Sequence, residues 1–267
     1  MISIRSICRF AIASALLACS QTVGADNACD FTLVDGEITE HKFSGFHGSL
    51  RVFVPAEPPP EAGYPVIAYY HGWSTGLKPN LRIMRAVTGG KDYLLIGMSY
   101  RSRHFYQELD RKSLRKEQAH LDRALEDVAA CRSINQDVVF LAGYSQGGYA
   151  ISMLGEQRID EVAGLVLLGS GRRLAKMYLP DENQISDWPI FVGVGENDQR
   201  HFPIADNSAK LYALLGAEVS METWPDTDHF QGWAWYQKDP QRGAGLKAWL
   251  DNVVARRMRA AVAGSGE

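Results

Sequence analysis

The sequence predicts an α/β fold, with a mostly parallel central sheet covered by helices on both faces and little or no lid. Three observations predict it. Short continuous apolar runs, such as Pro65-Val66-Ile67-Ala68-Tyr69-Tyr70, suit strands buried on both faces of a sheet. Amphipathic runs at helical spacing alternate with them, as in successive βαβ units. A serine, an aspartate and a histidine then fall one loop beyond predicted strand ends, where open parallel sheets bind their ligands.

The N-terminus stands apart from this pattern. Arg5 and Arg9 precede a mostly apolar run from Phe10 to Cys19, and Val23-Gly24-Ala25 follows. A basic start, a short apolar stretch and a small-residue site form the signature of a secretory signal peptide. The run falls short of the roughly 20 apolar residues a membrane span needs. Residues 1–25 are therefore assigned to a signal peptide and 26–267 to a single domain, exported to the periplasm or medium. A first core helix fits less well, because Asp26-Asn27 follows at once. Leu16-Leu17-Ala18-Cys19 also resembles a lipobox, which would anchor the chain through lipid on Cys19. Leu17 is not favoured at that place, so cleavage after Ala25 is preferred. In either case Cys29 and Cys131 remain in an oxidising compartment and are expected to pair. Closing so long a loop stabilises by about 4 to 5 kcal/mol in the chain-entropy model.

The elements follow in order. Phe31 to Lys42 and Gly48 to Pro55 alternate apolar and polar residues, as half-exposed strands do, and the proline-rich Ala56 to Gly63 is a loop. After the buried strand ending at Tyr70 come a helix over Leu81 to Val87 and a strand over Tyr93 to Met98. Leu121, Leu125 and Val128 lie at helical spacing within Leu114 to Cys131. Next are strand Asp137 to Ala142, helix Gly147 to Leu154 and strand Val162 to Leu168. Strand Pro189 to Val194, helix Ile204 to Leu215, strand Val219 to Thr223 and an amphipathic helix over Ala244 to Met258 complete the chain. Its 267 residues suit one large α/β domain. A net charge of -3 gives no reason to expect nucleic acid or an anionic membrane as partner. Nothing in the pattern assigns an oligomeric state.

Gly143-Tyr144-Ser145-Gln146-Gly147-Gly148 lies between a predicted strand and a predicted helix. Such a turn pushes the Ser145 hydroxyl out at the top of the sheet, and glycine on either side removes Cβ atoms that would clash. Asp198 closes the next-but-one strand in Gly195-Glu196-Asn197-Asp198, and His229 follows the last strand in Asp226-Thr227-Asp228-His229. A serine hydroxyl is a weak nucleophile near neutral pH, so His229 would take its proton and Asp198 would orient the imidazole. Glu196 is close enough in sequence to replace Asp198, but the turn position favours the aspartate. Asp226 and Asp228 are read as shaping the histidine loop, and His201 as a rim residue with some prospect of touching substrate. Tyr70-His71-Gly72-Trp73 supplies a loop for oxyanion donors: the backbone N–H groups of Trp73 and Gln146 are the candidates, and His71 braces the loop.

These motifs resemble the α/β-hydrolase superfamily. The run Gly-Tyr-Ser-Gln-Gly-Gly is similar to the small carboxylesterase and acyl-protein thioesterase branch. The exported leader and the His71-Gly72-Trp73 loop are more similar to secreted polyhydroxybutyrate depolymerases and feruloyl esterases. The resemblance covers roughly residues 48 to 258 and implies hydrolysis of small-molecule or polymer esters through an acyl-enzyme, with no cofactor. The segment between Leu168 and Pro189 is short, which argues against a large lid domain.

Two groups of residues bear on substrate choice. Arg101, Arg103, His104, Arg111, Lys112, Arg115 and Lys116 follow one strand, and Arg172, Arg173 and Lys176 another. Near the mouth they could attract an anionic substrate; they also read as solvated charges balanced by Glu108, Asp110 and Glu117. Of the aromatics after His229, Phe230 and Trp233 are assigned to the substrate side, and Trp235 and Tyr236 to packing. No metal-binding pattern is present in the sequence. Thioesterase and peptidase activities are variants of the same chemistry. The contrasting reading is a non-catalytic binding protein on the same fold, whose usual sign is a broken triad.

Overall fold

The computed structural model describes residues 29, 31–42, 49–73, 79–99, 111–172 and 185–264. Eight strands form one sheet: β1 (Ile38–Lys42), β2 (Ser49–Phe53), β3 (Tyr64–Tyr70), β4 (Leu94–Met98), β5 (Ile134–Tyr144), β6 (Gly164–Leu168), β7 (Pro189–Gly195) and β8 (Glu218–Trp224). Their spatial order is β1-β2-β4-β3-β5-β6-β7-β8. β2 runs antiparallel to β1 and β4, and β3 to β8 are all parallel.

The helices are α1 (Arg82–Thr88), α2 (Arg111–Cys131), α3 (Gln146–Glu156), α4 (Phe202–Leu214), α5 (His229–Gly232), α6 (Trp235–Lys238) and α7 (Ala244–Gly264), with a 3-10 turn at Pro240–Gly243. Strand pleating splits the apolar residues between two cores. Along β3, Val66, Ala68 and Tyr70 join residues of α2, α3 and α4 in one core. Ile67 and Tyr69 join α1, α6 and α7 in the other. This two-sided burial is why the central strands read as unbroken apolar runs. The edge strands differ: β1 alternates exposed with half-buried positions, β8 is exposed or half-buried up to Trp224, and Glu40, Lys42 and Glu218 are charges that discourage edge-to-edge pairing.

The expected strand from Phe31 to Lys42 is corrected. Only Ile38–Lys42 is regular strand, because Gly36 at φ 80° turns the chain and Glu37 N–H bonds back to Val34 O. Before that turn the chain touches the sheet at one bridge, Asp35 to Val54. A disulfide between Cys29 and Cys131, 102 residues apart, ties this leading segment to the end of α2. Arg132 reinforces the tie through two hydrogen bonds to Asp35. The last helix runs six residues past its predicted end at Met258. Residues 229–243, left without elements by the sequence pattern, form α5, α6 and the 3-10 turn.

Among the described residues no helix is long and apolar enough to cross a membrane. The leader 1–25 with Cys19, and Arg101, Arg103, His104, Arg173 and Lys176, lie outside the described residues, as does most of the segment in which a lid was not expected. The side chains of Arg111 and Lys112 lie outside them too.

Candidate active site

The site is built from the ends of β5, β7 and β8. Ser145 sits between β5 and α3 with φ 52° and ψ -117°, a conformation a non-glycine residue adopts only under strain. Two glycines permit the turn. A Cβ on Gly143 would lie 2.4 Å from the backbone of Gly147, and one on Gly147 would lie 2.0 Å from the carbonyl oxygen of Tyr70. The N–H of Ser145 donates to Leu168 O at 2.8 Å, which anchors the elbow to β6.

The loops that carry Asp198 and His229 are laced together. Asn197 N–H donates to Thr227 O at 2.9 Å, and Glu196 N–H donates to Trp224 O at 2.9 Å. Glu196 itself is exposed and accepts from the N–H of Asp226 at 3.3 Å, so it supports the loop that carries His229. Asp228 caps α5: its side chain accepts from Gln231 N–H at 2.8 Å, and the Gln231 amide oxygen accepts from Asp228 N–H at 3.2 Å. This capping box, encoded by Asp228 and Gln231 three residues apart, fixes the start of the helix on which His229 is first.

The structure brings Ser145, His229 and Asp198 into one chain of hydrogen bonds. Ser145 Oγ lies 2.9 Å from His229 Nε2, and His229 Nδ1 lies 2.6 Å from Asp198 Oδ2. The carboxylate requires the proton on Nδ1, which leaves the Nε2 lone pair facing the serine hydroxyl. Asp198 is only 4% exposed. Burial pushes its carboxyl up, but hydrogen bonds from His201 and His229 outweigh that and hold it well below the usual carboxylate range.

Two neighbours of this relay carry more weight than the sequence reading gave them. His201, expected at the rim, binds the other carboxylate oxygen: its Nδ1 lies 2.9 Å from Asp198 Oδ1, and its backbone N–H donates to the same oxygen at 3.0 Å. Its ring stacks on His229 at 3.9 Å between centroids and 20° between planes. Tyr144 stacks on His229 as well, at 5.5 Å, and its hydroxyl donates to the His229 carbonyl. Burial pushes the Tyr144 phenol up, which keeps it a donor. A signal for His201 existed in its spacing, three residues after Asp198 at a helix start. Tyr144 occupies a variable position of the elbow motif and had none.

The remaining candidates fall as follows. His71 is buried, its Nδ1 donates to Gly72 O at 2.8 Å, and burial lowers its pKa, so it braces the loop as an uncharged ring. A Cβ on Gly72 would lie 3.6 Å from Ser145 Cβ, so this loop runs alongside the serine. Trp73 is 62% exposed at its end, and Gln146 is buried at the first position of α3. Phe230 is 79% exposed and meets His229 edge-on at 5.9 Å, Trp233 is 42% exposed, and Trp235 and Tyr236 are buried against Trp224.

The basic group needs one correction. Arg115 and Lys116 are exposed, but Arg172 is 3% exposed and cannot meet a substrate. Its Nε and Nη2 donate to the two oxygens of buried Glu156, at 2.6 and 2.9 Å, and Tyr212 donates to the same carboxylate at 2.7 Å. A guanidinium fork matched to a carboxylate inside the core is a fixed pair.

Among the described residues, Asp198, His201 and His229 are the one group whose ligating atoms lie close enough together, within 4.8 Å, to hold a metal ion. Both Nδ1 atoms already face the carboxylate.

No protein-family model matches the chain, and no curated protein matches it. Solved structures do. Est1E from Butyrivibrio proteoclasticus matches with a TM-score of 0.53 and 16% identity, covering 82% of this chain and 99% of that one. A carboxylesterase from Mesorhizobium loti matches with 0.55 and 19%, over 79% and 98%. Esterase B from Lactobacillus rhamnosis matches with 0.62 and 18%, over 87% and 92%. At these identities the likeness is one of fold: the chain has the α/β-hydrolase fold, with its serine elbow at the central strand.

Proposed function

We propose that the chain is an exported serine esterase that cleaves carboxylic esters through an acyl-enzyme on Ser145. The observation that carries this reading is the continuous relay from Ser145 Oγ to His229 Nε2, at 2.9 Å, and from His229 Nδ1 to Asp198, at 2.6 Å. In this reading Ser145 Oγ attacks the ester carbonyl as His229 Nε2 takes its proton, and Asp198 stabilises the resulting imidazolium. The tetrahedral oxyanion accepts from the backbone N–H groups of Trp73 and Gln146. His229 then returns the proton to the leaving alcohol oxygen as the C–O bond breaks. Water, activated by the same histidine, hydrolyses the acyl-enzyme and restores Ser145.

Several observations support the finer assignments. The proteins matched in fold are named as esterases, which favours oxygen esters over thioester or peptide substrates for the same relay. The exposed Phe230, Trp233 and Trp73 offer apolar faces for the acyl or aryl part of a small or polymeric ester. The disulfide suits a chain exported after cleavage at Ala25, since such bonds persist outside the reducing cytoplasm. A non-catalytic binding role has no support in a relay so complete.

The test is turnover of chromogenic esters graded from acetyl to long acyl, with one feruloyl ester. We expect turnover that falls on the order of 10⁶-fold in Ser145→Ala. A folded wild-type protein inert toward the whole series, or a Ser145→Ala variant as active as wild type, rejects the reading.

A further inference from the structure

Asp198 has two imidazole partners where the relay needs one. The His229 side of the carboxylate is occupied by the base; the opposite oxygen, Oδ1, accepts from both the backbone and the ring of His201. The χ2 torsion of an aspartate is soft, so the carboxyl plane of Asp198 stays set only while both of its oxygens are held. Rotation would carry Oδ2 out of line with His229 Nδ1, and misplacement by about 1 Å costs on the order of 100-fold in rate.

We propose that His201 is a positioning residue for ester hydrolysis: its Nδ1–H pins Oδ1 of Asp198 so that Oδ2 stays in line with His229. The inference rests on the esterase reading above. His201 is itself well placed for the task. It is the residue before α4, its backbone N–H bonds to the same oxygen, and its ring lies flat against His229. Backbone and side chain therefore form a two-pronged clamp, and the stack sets the angle of the ring. Donor and ring are separable by substitution. Asparagine places an amide N–H close to the position of Nδ1 but has no ring, whereas phenylalanine keeps the ring and has no donor.

The experiment compares wild type, His201→Asn and His201→Phe as full-length chains on the ester that wild type turns over best. The expected result for His201→Phe is a kcat lower by about 10- to 100-fold with KM within about twofold, the mark of lost transition-state alignment. His201→Asn is expected within about fivefold of wild-type kcat, since it keeps the donor. A His201→Phe variant within about threefold of wild type overturns the proposal, and so does equal impairment of both variants, which assigns the effect to the stack. A second readout does not depend on turnover: the low-field proton resonance of His229 Nδ1–H bound to a carboxylate. It should persist in wild type and His201→Asn, and shift upfield or broaden by exchange in His201→Phe. An unchanged resonance in folded His201→Phe overturns the proposal. Wild type that shows the resonance without hydrolysing any ester rejects the esterase reading alone, because the change of the resonance in His201→Phe still reports the clamp.

Discussion

Glu156 and Asp198 are both carboxylates almost wholly removed from water, and the chain holds them in opposite ways. Glu156 sits in the core at the end of α3, where the Arg172 fork and the Tyr212 hydroxyl meet its two oxygens. Its counter-charge is permanent. Asp198 receives three N–H donors, from His201 twice and from His229, none of which carries a fixed charge. Its negative charge therefore has no permanent counter-charge among these donors. In the proposed reaction its field would act on the positive charge that His229 gains with the proton of Ser145. The same side chain chemistry gives a rivet in one place and a reserve of potential in the other, and the partner decides which.

The comparison can be broken at either end. The largest effect is expected in Asp198→Asn, where kcat for the preferred ester should fall by about 10⁴-fold through loss of the correct imidazole tautomer. Glu156→Gln, assayed per folded molecule, should leave kcat within about twofold. Equal losses in the two variants would erase the distinction drawn above. Next in size is Arg172→Met, which strands a charge inside the core and should cost about 3 to 5 kcal/mol in urea unfolding. The double replacement Arg172→Met with Glu156→Met should recover most of that loss, because no lone charge remains. Smallest is an acid-side effect on stability. Asp198 is held ionised in the fold to well below the usual carboxylate range, whereas in the unfolded chain it takes up its proton near pH 4. Below about pH 4 the unfolded chain binds more protons than the folded one, so this contribution, complete above that pH, is lost as pH falls. Melting temperatures from pH 2 to 7 should therefore decline less steeply in Asp198→Asn, and parallel curves would contradict the assigned direction.

The strands were legible because each central one is buried on two sides, which leaves runs such as Val138 to Ala142 with no polar residue to confuse the period. The Ser145 elbow was legible because its glycines answer a backbone demand that few other turns make. Arg172 was misread for a physical reason: its partner lies sixteen residues back, closing an otherwise uncharged helix, and a pairing across two elements leaves no local period. The role of His201 was underread in the same way. Its spacing from Asp198 was visible, but the ring contact with His229 joins segments 28 residues apart in the chain and appears only when β7 and β8 lie side by side. The strand expected from Phe31 failed at Gly36, where alternation continued on paper while φ turned positive.

The closeness of Gly147 to Tyr70 bears on how such chains diverge. A side chain there would need to occupy space already filled by backbone, and no neighbour can yield by changing rotamer. Any substitution at 147 therefore requires the backbone of Tyr70 and His71 to move. The demand at 143 and 147 is thus set by backbone volume inside this chain: glycine is the residue whose outline fits there, whatever the sequence around it becomes.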